Sequence, residues 1–169
     1  LFVCPQYNAA QASPLTSSKL AGHKAVYEIH MTGNKIGSQV IGVNGKLMYS
    51  ARPSCDGWIT DHQFLLTYEY TGTPRVDVET KIASFESYDG SRMTFSSIRR
   101  GNGEIIERIR GNAEMPLQTV KAGSVQYIIP EQTALDLSAG TLFPIAHTRE
   151  LIAAAEAGKK VFHVNVFDG

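Results

Sequence analysis

The stretch Trp58–Tyr70, WITDHQFLLTYEY, is the longest extended segment of the sequence. Because successive side chains of a strand point to opposite sides, Phe64, Leu66 and Tyr68 would share one face. The other face would carry a mostly polar set: Gln63, Leu65, Thr67 and Glu69. This alternation predicts a strand with one side in a core and the other side in water.

The segments around this stretch repeat the alternation. Residues 23–31 predict one strand, and Val40–Val43 and Lys46–Ala51 predict two more. We expect a tight hairpin at Asn44-Gly45 between the latter two, because both of these residues tolerate positive φ. After Tyr70, the predicted strands are Arg75–Tyr88, Met93–Ile98, Glu104–Arg110 and Val125–Ile129, with turns at Asp89-Gly90 and Asn102-Gly103.

Short extended segments divided by glycine turns are typical of an antiparallel meander, in which each strand pairs with the next through a hairpin. One helix is predicted near the C-terminus, with Thr148 as its N-cap and Gly158 as its end. Its apolar stripe would be Leu151, Ile152 and Ala155. A helix of about ten residues is marginal alone, so we expect it to pack against the sheet.

The last segment, Val161–Phe167, alternates as a strand, and Asp168-Gly169 would be its turn. Without a returning strand, it would form an open edge of unpaired backbone groups. We therefore expect the natural protein to continue and the sheet to be incomplete at this C-terminus. A true C-terminus at a loop is the alternative.

The first dozen residues have the character of a secretory leader. Residues 1–4 are apolar, and Ala10-Gln11-Ala12 fits the small-x-small pattern of a cleavage site. We interpret residues 1–12 as a signal-peptide remnant and residues 13–169 as an incomplete β-sheet domain. An ordinary N-terminus and a lipoprotein anchor at Cys4 are the alternatives.

The composition narrows the range of partners. The length of 169 residues suits one domain, and 16 basic residues balance 16 acidic residues. Zero net charge gives no field that attracts nucleic acid, so we expect no nucleic-acid partner. No later apolar run approaches the ~20 residues that cross a bilayer, so we expect no transmembrane segment.

The reactive side chains form no recognisable site. Cys55 and His62 are separated by a turn and part of a strand, and no third orienting group is apparent. The five histidines lack metal-site spacing, and no ligand-binding residue can be named. We expect no enzymatic activity, no metal and no cofactor. Four arginines of one predicted hairpin are interpreted as a solvated face, and a site for an acidic partner is the alternative: Arg99, Arg100, Arg108 and Arg110.

Only Cys55 lies in the folding part of the chain. In an oxidising compartment it is either buried and inert or paired with a cysteine outside this chain, and the cysteine count favours neither. Aromatic residues on the predicted strands suit core packing, although tyrosine and tryptophan are also common at interfaces. They are Tyr27, Tyr49, Trp58, Phe64, Tyr68 and Tyr70.

Four motifs together resemble a known family. They are LAGHKAVY at Leu20–Tyr27, SCDGW at Ser54–Trp58, GTLFP at Gly140–Pro144 with the helix that follows, and VFDG at Val166–Gly169. They are weak singly and specific in combination. The chain resembles the N-terminal part of the periplasmic cell-envelope integrity protein B (EipB-like) family of Gram-negative bacteria.

The resemblance implies a mainly β fold: a spiral-like, curved, multi-stranded antiparallel sheet with one or two short helices. It implies a non-enzymatic periplasmic protein that maintains envelope integrity by binding other periplasmic proteins, such as a tetratricopeptide-repeat protein. It also implies a disulfide between Cys55 and a cysteine beyond residue 169. The alternative function is a carrier or sensor of lipid or another hydrophobic ligand, held in the concave face of the sheet.

Overall fold

The computed structural model describes residues 20–117 and 121–169, so the predicted leader at residues 1–12 lies outside the described residues. In these ranges eight strands form one antiparallel sheet whose strand order follows chain order. The elements are β1 His23–His30, β2 Val40–Pro53, β3 Gly57–Tyr70, β4 Thr73–Ser87, β5 Arg92–Gly101, β6 Glu104–Glu114, β7 Gly123–Ile129, β8 Thr133–Leu137 and α1 Pro144–Glu156. The predicted antiparallel meander with one helix is confirmed.

The predicted hairpin at Asn44-Gly45 is wrong, because β2 runs unbroken through both residues. Asn44 lies opposite His30 of β1, and its Oδ1 is 3.1 Å from His30 Nδ1. Gly45 suits a close approach of two strands, since a Cβ there would lie 2.9 Å from the Cα of Leu66 in β3. The connection between β1 and β2 lies at residues 31–39, where Gly37 has a φ of +85°.

The two faces of the sheet have different surroundings. Directly opposed residues of neighbouring strands share a face. The registers therefore place Ala51, Thr60, Ser84 and Phe95 in one row across β2 to β5. We call the face that carries this row the helix face, because α1 packs on it through Ile145. The opposite face is called the outer face.

The core lies between the helix face and the C-terminal part of the chain. Trp58 and Ala51 pack with Ile145 of α1. Phe143 is fully buried against a cluster from β5, β6, β7 and the residue after β6: Met93, Phe95, Ala113, Val125 and Met115. Because α1 and Phe143 cover only this end of the sheet, the buried residues are concentrated there.

The start of α1 differs from the prediction. The helix begins at Pro144, whose fixed φ suits a first helical position, and Thr148 lies inside it. The Thr148 hydroxyl donates to the Pro144 carbonyl at 2.8 Å instead of capping the helix. The predicted end at Gly158 is confirmed by its φ of +72°. The predicted stripe is wrong, because Ile145 and Ala154 are the buried residues whereas Leu151 is 47% exposed.

The predicted C-terminal strand Val161–Phe167 is also wrong. Val166 forms one isolated parallel bridge to Leu142, and the segment joins no strand of the sheet. The Phe167 ring packs edge-on against the rings of Phe95 and Phe143, with centroids 5.5 and 6.4 Å apart. Burial of this ring directs the segment over the helix face rather than along a sheet edge. Within the described residues the edges are β1 and β8, and β8 was not predicted.

Candidate interaction surface

Away from α1, the helix face continues as a row of apolar side chains that are only partly buried. The registers align Tyr27, Leu47 and Phe64 across β1, β2 and β3, and they align Leu66 with Val78 of β4. Tyr27 is 51% exposed, and the other four are half-buried. We call these five residues the apolar surface. A contiguous apolar area left to water is typical of a place where another molecule binds.

Four rings connect this surface with the core under α1. His23 lies 5.2 Å from Tyr49, Tyr49 lies 4.9 Å from His62, and His62 lies 6.5 Å from Phe64, measured between ring centroids. The registers place these residues on the helix face of β1, β2 and β3. Tilted and edge-on contacts of this kind add stabilisation beyond burial of area.

Two of these four rings, His62 and Tyr49, favour their neutral forms. Burial lowers the pKa of His62, and the charge of Asp61 opposes this only in part. Burial, and secondarily Tyr27, raises the pKa of Tyr49. Both groups therefore contribute polar atoms without charge, which suits an apolar surface that also forms hydrogen bonds.

A buried carboxylate, Glu86, lies on the helix face beneath the start of α1. It is 3% exposed, and its oxygens accept N–H bonds from Ile145 at 2.8 Å and Ala146 at 2.7 Å. Burial raises the pKa of Glu86 to about 7, although the two N–H bonds and Arg149 act in the opposite direction. Sequence reasoning missed this residue. The available signal was an acidic residue on the inward-facing side of the alternating strand β4.

Cys55 and His62 do not form a catalytic pair. Cys55 lies in the turn before β3, whereas His62 lies within β3 with its ring between Tyr49 and Phe64. Cys55 is disulfide-bonded. Pairing of Cys55 with a cysteine beyond residue 169 stays a prediction.

The four arginines of the β5–β6 hairpin divide between the two faces. Arg99 lies opposite Thr80 on the helix face, while Arg100 lies opposite Glu79 on the outer face. The Arg100 guanidinium is 3.6 Å from the Glu79 carboxylate. Hydrogen bonds from Lys81 and then Gln63 also hold the pKa of Glu79 below its usual range. The Glu79 carboxylate therefore offsets the positive charge of Arg100, one of the four arginines of this hairpin.

Neither a metal cluster nor a membrane-crossing helix was found in the described part of the chain. Across residues 20–117 and 121–169, no three His, Cys, Asp or Glu side chains are grouped as ligands. In the same ranges, no helix is both long and apolar enough to cross a bilayer.

Residues 14–169 match the model of a family described as EipB-like. The chain belongs to the EipB-like family. A curated relative, the cell envelope integrity protein EipB of Brucella abortus strain 2308, is 30% identical over 162 residues. That match covers 95% of this chain and 56% of the relative, so the chain spans little more than half of the relative's length.

A solved structure supports the same family membership. It is the crystal structure of a β-barrel-like protein of a domain of unknown function from Brucella abortus, with a TM-score of 0.81 and 28% identity. The match covers 87% of this chain and 60% of that chain. The family predicted from the sequence motifs is therefore confirmed, and the β-barrel-like neighbour agrees with the predicted curved sheet.

Proposed function

We propose that this chain is part of an exported periplasmic protein that maintains cell-envelope integrity without catalysis, by binding other periplasmic proteins. Membership of the EipB-like family, and a relative named for envelope integrity, support the cellular role. The apolar surface carries the binding role, because its side chains continue the core packing of the helix face but are only partly buried.

The chemistry of this surface indicates which kind of partner would fit it. Its centre, formed by Phe64, Leu66 and Val78, requires a complementary apolar ridge, and its neutral His62 and Tyr49 accept polar groups at the margin. An amphipathic helix of a tetratricopeptide-repeat protein offers such a ridge. Aromatic anchors in a desolvated centre commonly dominate the affinity of interfaces.

Adjacent leucines provide a matched test. Leu66 lies on the helix face, whereas Leu65 is 41% exposed on the outer face of the same strand. In cells lacking the native gene, full-length Leu66→Asp protein is expected to leave the envelope sensitive to detergent, while Leu65→Asp protein restores resistance. Protein abundance and melting temperature of both variants serve as controls for folding. Equal resistance with both well-folded variants contradicts the proposal.

Photo-crosslinking identifies what is bound. A photoreactive phenylalanine at position 64 is expected to capture a periplasmic protein in intact cells, and the same group at position 65 is not. Capture at neither position, or equally at both, contradicts binding through the helix face.

The second candidate function is a carrier or sensor of a lipid or another hydrophobic ligand. It is favoured by the continuous series of rings from His23 to Phe64, which connects the core with the apolar surface. Native mass spectrometry of protein purified from envelopes tests it. Absence of a bound lipid, together with no binding of a fluorescent fatty-acid probe, excludes this function.

A further inference from the structure

Glu86 connects the middle of the sheet with the first turn of α1. Each carboxylate oxygen accepts one backbone N–H, from Ile145 and Ala146, which are among the first groups of a helix that lack intrahelical partners. The residue at the helix N-cap, Phe143, supplies no side-chain hydrogen bond, and the first turn contains no acidic residue. The cap of α1 is thus provided by a residue about 60 positions earlier in the chain.

Few other charges act on this carboxylate. Its neighbours across the strands are Trp58 of β3 and Met93 of β5, and neither ionises. From α1, the Arg149 guanidinium favours the ionised form of Glu86, while the His147 ring stacks on Phe162 instead.

Two groups at the end of β4 have partners of their own. The Tyr88 hydroxyl donates to the Ser54 carbonyl at 2.7 Å. The Asp89 carboxylate accepts hydrogen bonds from the hydroxyls of Ser87 and Ser91. The titration of Glu86 is therefore controlled by burial, the two amides and one arginine.

We propose that Glu86 makes α1 a pH-sensitive latch, held on the sheet in acid and released more often above neutral pH. Glu86 is buried beneath the start of α1, which supplies both of its amide partners, so closing of the helix would exchange water around the carboxylate for these two amides. When the helix opens, the carboxylate is hydrated again and its charge is no longer penalised. Ionisation thus favours the open state, and protonation favours the closed state.

The direction of this pH dependence follows from the pKa values of Glu86 in the docked and the open states. Glu86 has a pKa of about 7 with α1 docked, against the ordinary value of 4.5 that hydration restores. The docked state therefore holds the proton more tightly, so docking weakens as pH rises through this interval. Between about pH 6 and about pH 8, the ratio of open to closed helix is expected to rise about tenfold.

Amide hydrogen exchange in the whole protein tests the latch. Exchange of the α1 amides, corrected for its intrinsic pH dependence, is expected to accelerate about tenfold more than exchange of central β3 amides between about pH 6 and about pH 8. Glu86→Gln, which keeps the shape but cannot ionise, is expected to remove this difference. Equal pH dependence of α1 and β3 in the native protein overturns the proposal, as does an unchanged response in Glu86→Gln.

Two control variants separate Glu86 from other titrating groups. Glu79→Gln removes a carboxylate from the outer face of the same strand, and His147→Asn removes the imidazole of α1. Both are expected to retain the tenfold response, and loss of it in either overturns the assignment to Glu86. If Glu86→Gln does not fold, the carboxyl ¹³C shift of Glu86 in the native protein decides the question. A midpoint near 7 supports the latch, and a midpoint below about 5 overturns it.

Discussion

Replacing Gly45 by alanine tests whether β2 and β3 lie as close together as the structure places them. The new Cβ would lie 2.8 Å from Leu66 Cδ2 and 2.9 Å from Leu66 Cα, and it would also overlap the Leu65 carbonyl oxygen. Ordinary contacts of a Cβ begin at 3.4 Å. Two of these three atoms belong to the backbone, so a rotamer change cannot relieve the overlap and the strands must separate.

We expect Gly45→Ala to lower the free energy of unfolding by about 1–3 kcal/mol, the range typical of overpacking. Gly33→Ala is the matched control, because a Cβ there meets nothing within 4 Å and its φ lies outside the left-handed region. Because alanine has less conformational freedom than glycine in the unfolded chain, Gly33→Ala should leave the free energy of unfolding unchanged or raise it by about 0.4–1 kcal/mol. Urea unfolding of both variants provides the comparison. Equal stabilities refute the close approach of the two strands.

Three further changes have expected outcomes in unfolding experiments. Phe143→Ala should cost about 3–5 kcal/mol in urea unfolding, because the ring is fully buried; a loss below about 1 kcal/mol contradicts that packing. His62 has a lowered pKa, so its contribution is present above about pH 6.5 and is lost as pH falls. His62→Gln should therefore reduce the loss of stability between about pH 7 and about pH 5, and an undiminished loss contradicts this sign. If Cys55 is paired with a cysteine beyond residue 169 in the full-length protein, reductant should remove about 4–5 kcal/mol, and an unchanged melting temperature argues against that pairing.

The strands were predictable where the local pattern and the tertiary structure agree. Trp58–Tyr70 was predicted as one long extended stretch, and β3 covers all of it. Asn102-Gly103 was correctly predicted as a turn, with φ values of +49° and +89°. Asn44-Gly45 has the same two residue types but lies within a strand. Because β3 offers a continuous partner along β2, the glycine serves close packing rather than a reversal of the chain.

Distant contacts explain why the C-terminal part was predicted less well. Thr148 has the side chain of a good N-cap, but the first amides of α1 bind Glu86 of β4. The residues near Thr148 in the sequence contain no sign that Glu86 is the partner of these amides. Phe167 ends an alternating segment, yet its ring enters the core beside Phe95. The apolar surface was foreseeable only in part, since its aromatic residues were recognised but the register that aligns them was not.

The consecutive order of the eight strands affects how the chain reaches its native state. Each strand needs only the one made before it, so a polypeptide that emerges N-terminus first can add one hairpin at a time. Such nearest-neighbour pairing keeps loop closures short and assembly fast for a sheet of this size. This nearest-neighbour order is not followed by the C-terminal elements Phe143, α1 and Phe167. They pack on strands that were completed much earlier in the chain. Before these C-terminal elements have folded, the side chains of Trp58 and Phe95 remain exposed to water. A chaperone that recognises exposed aromatic side chains would bind the chain during that interval.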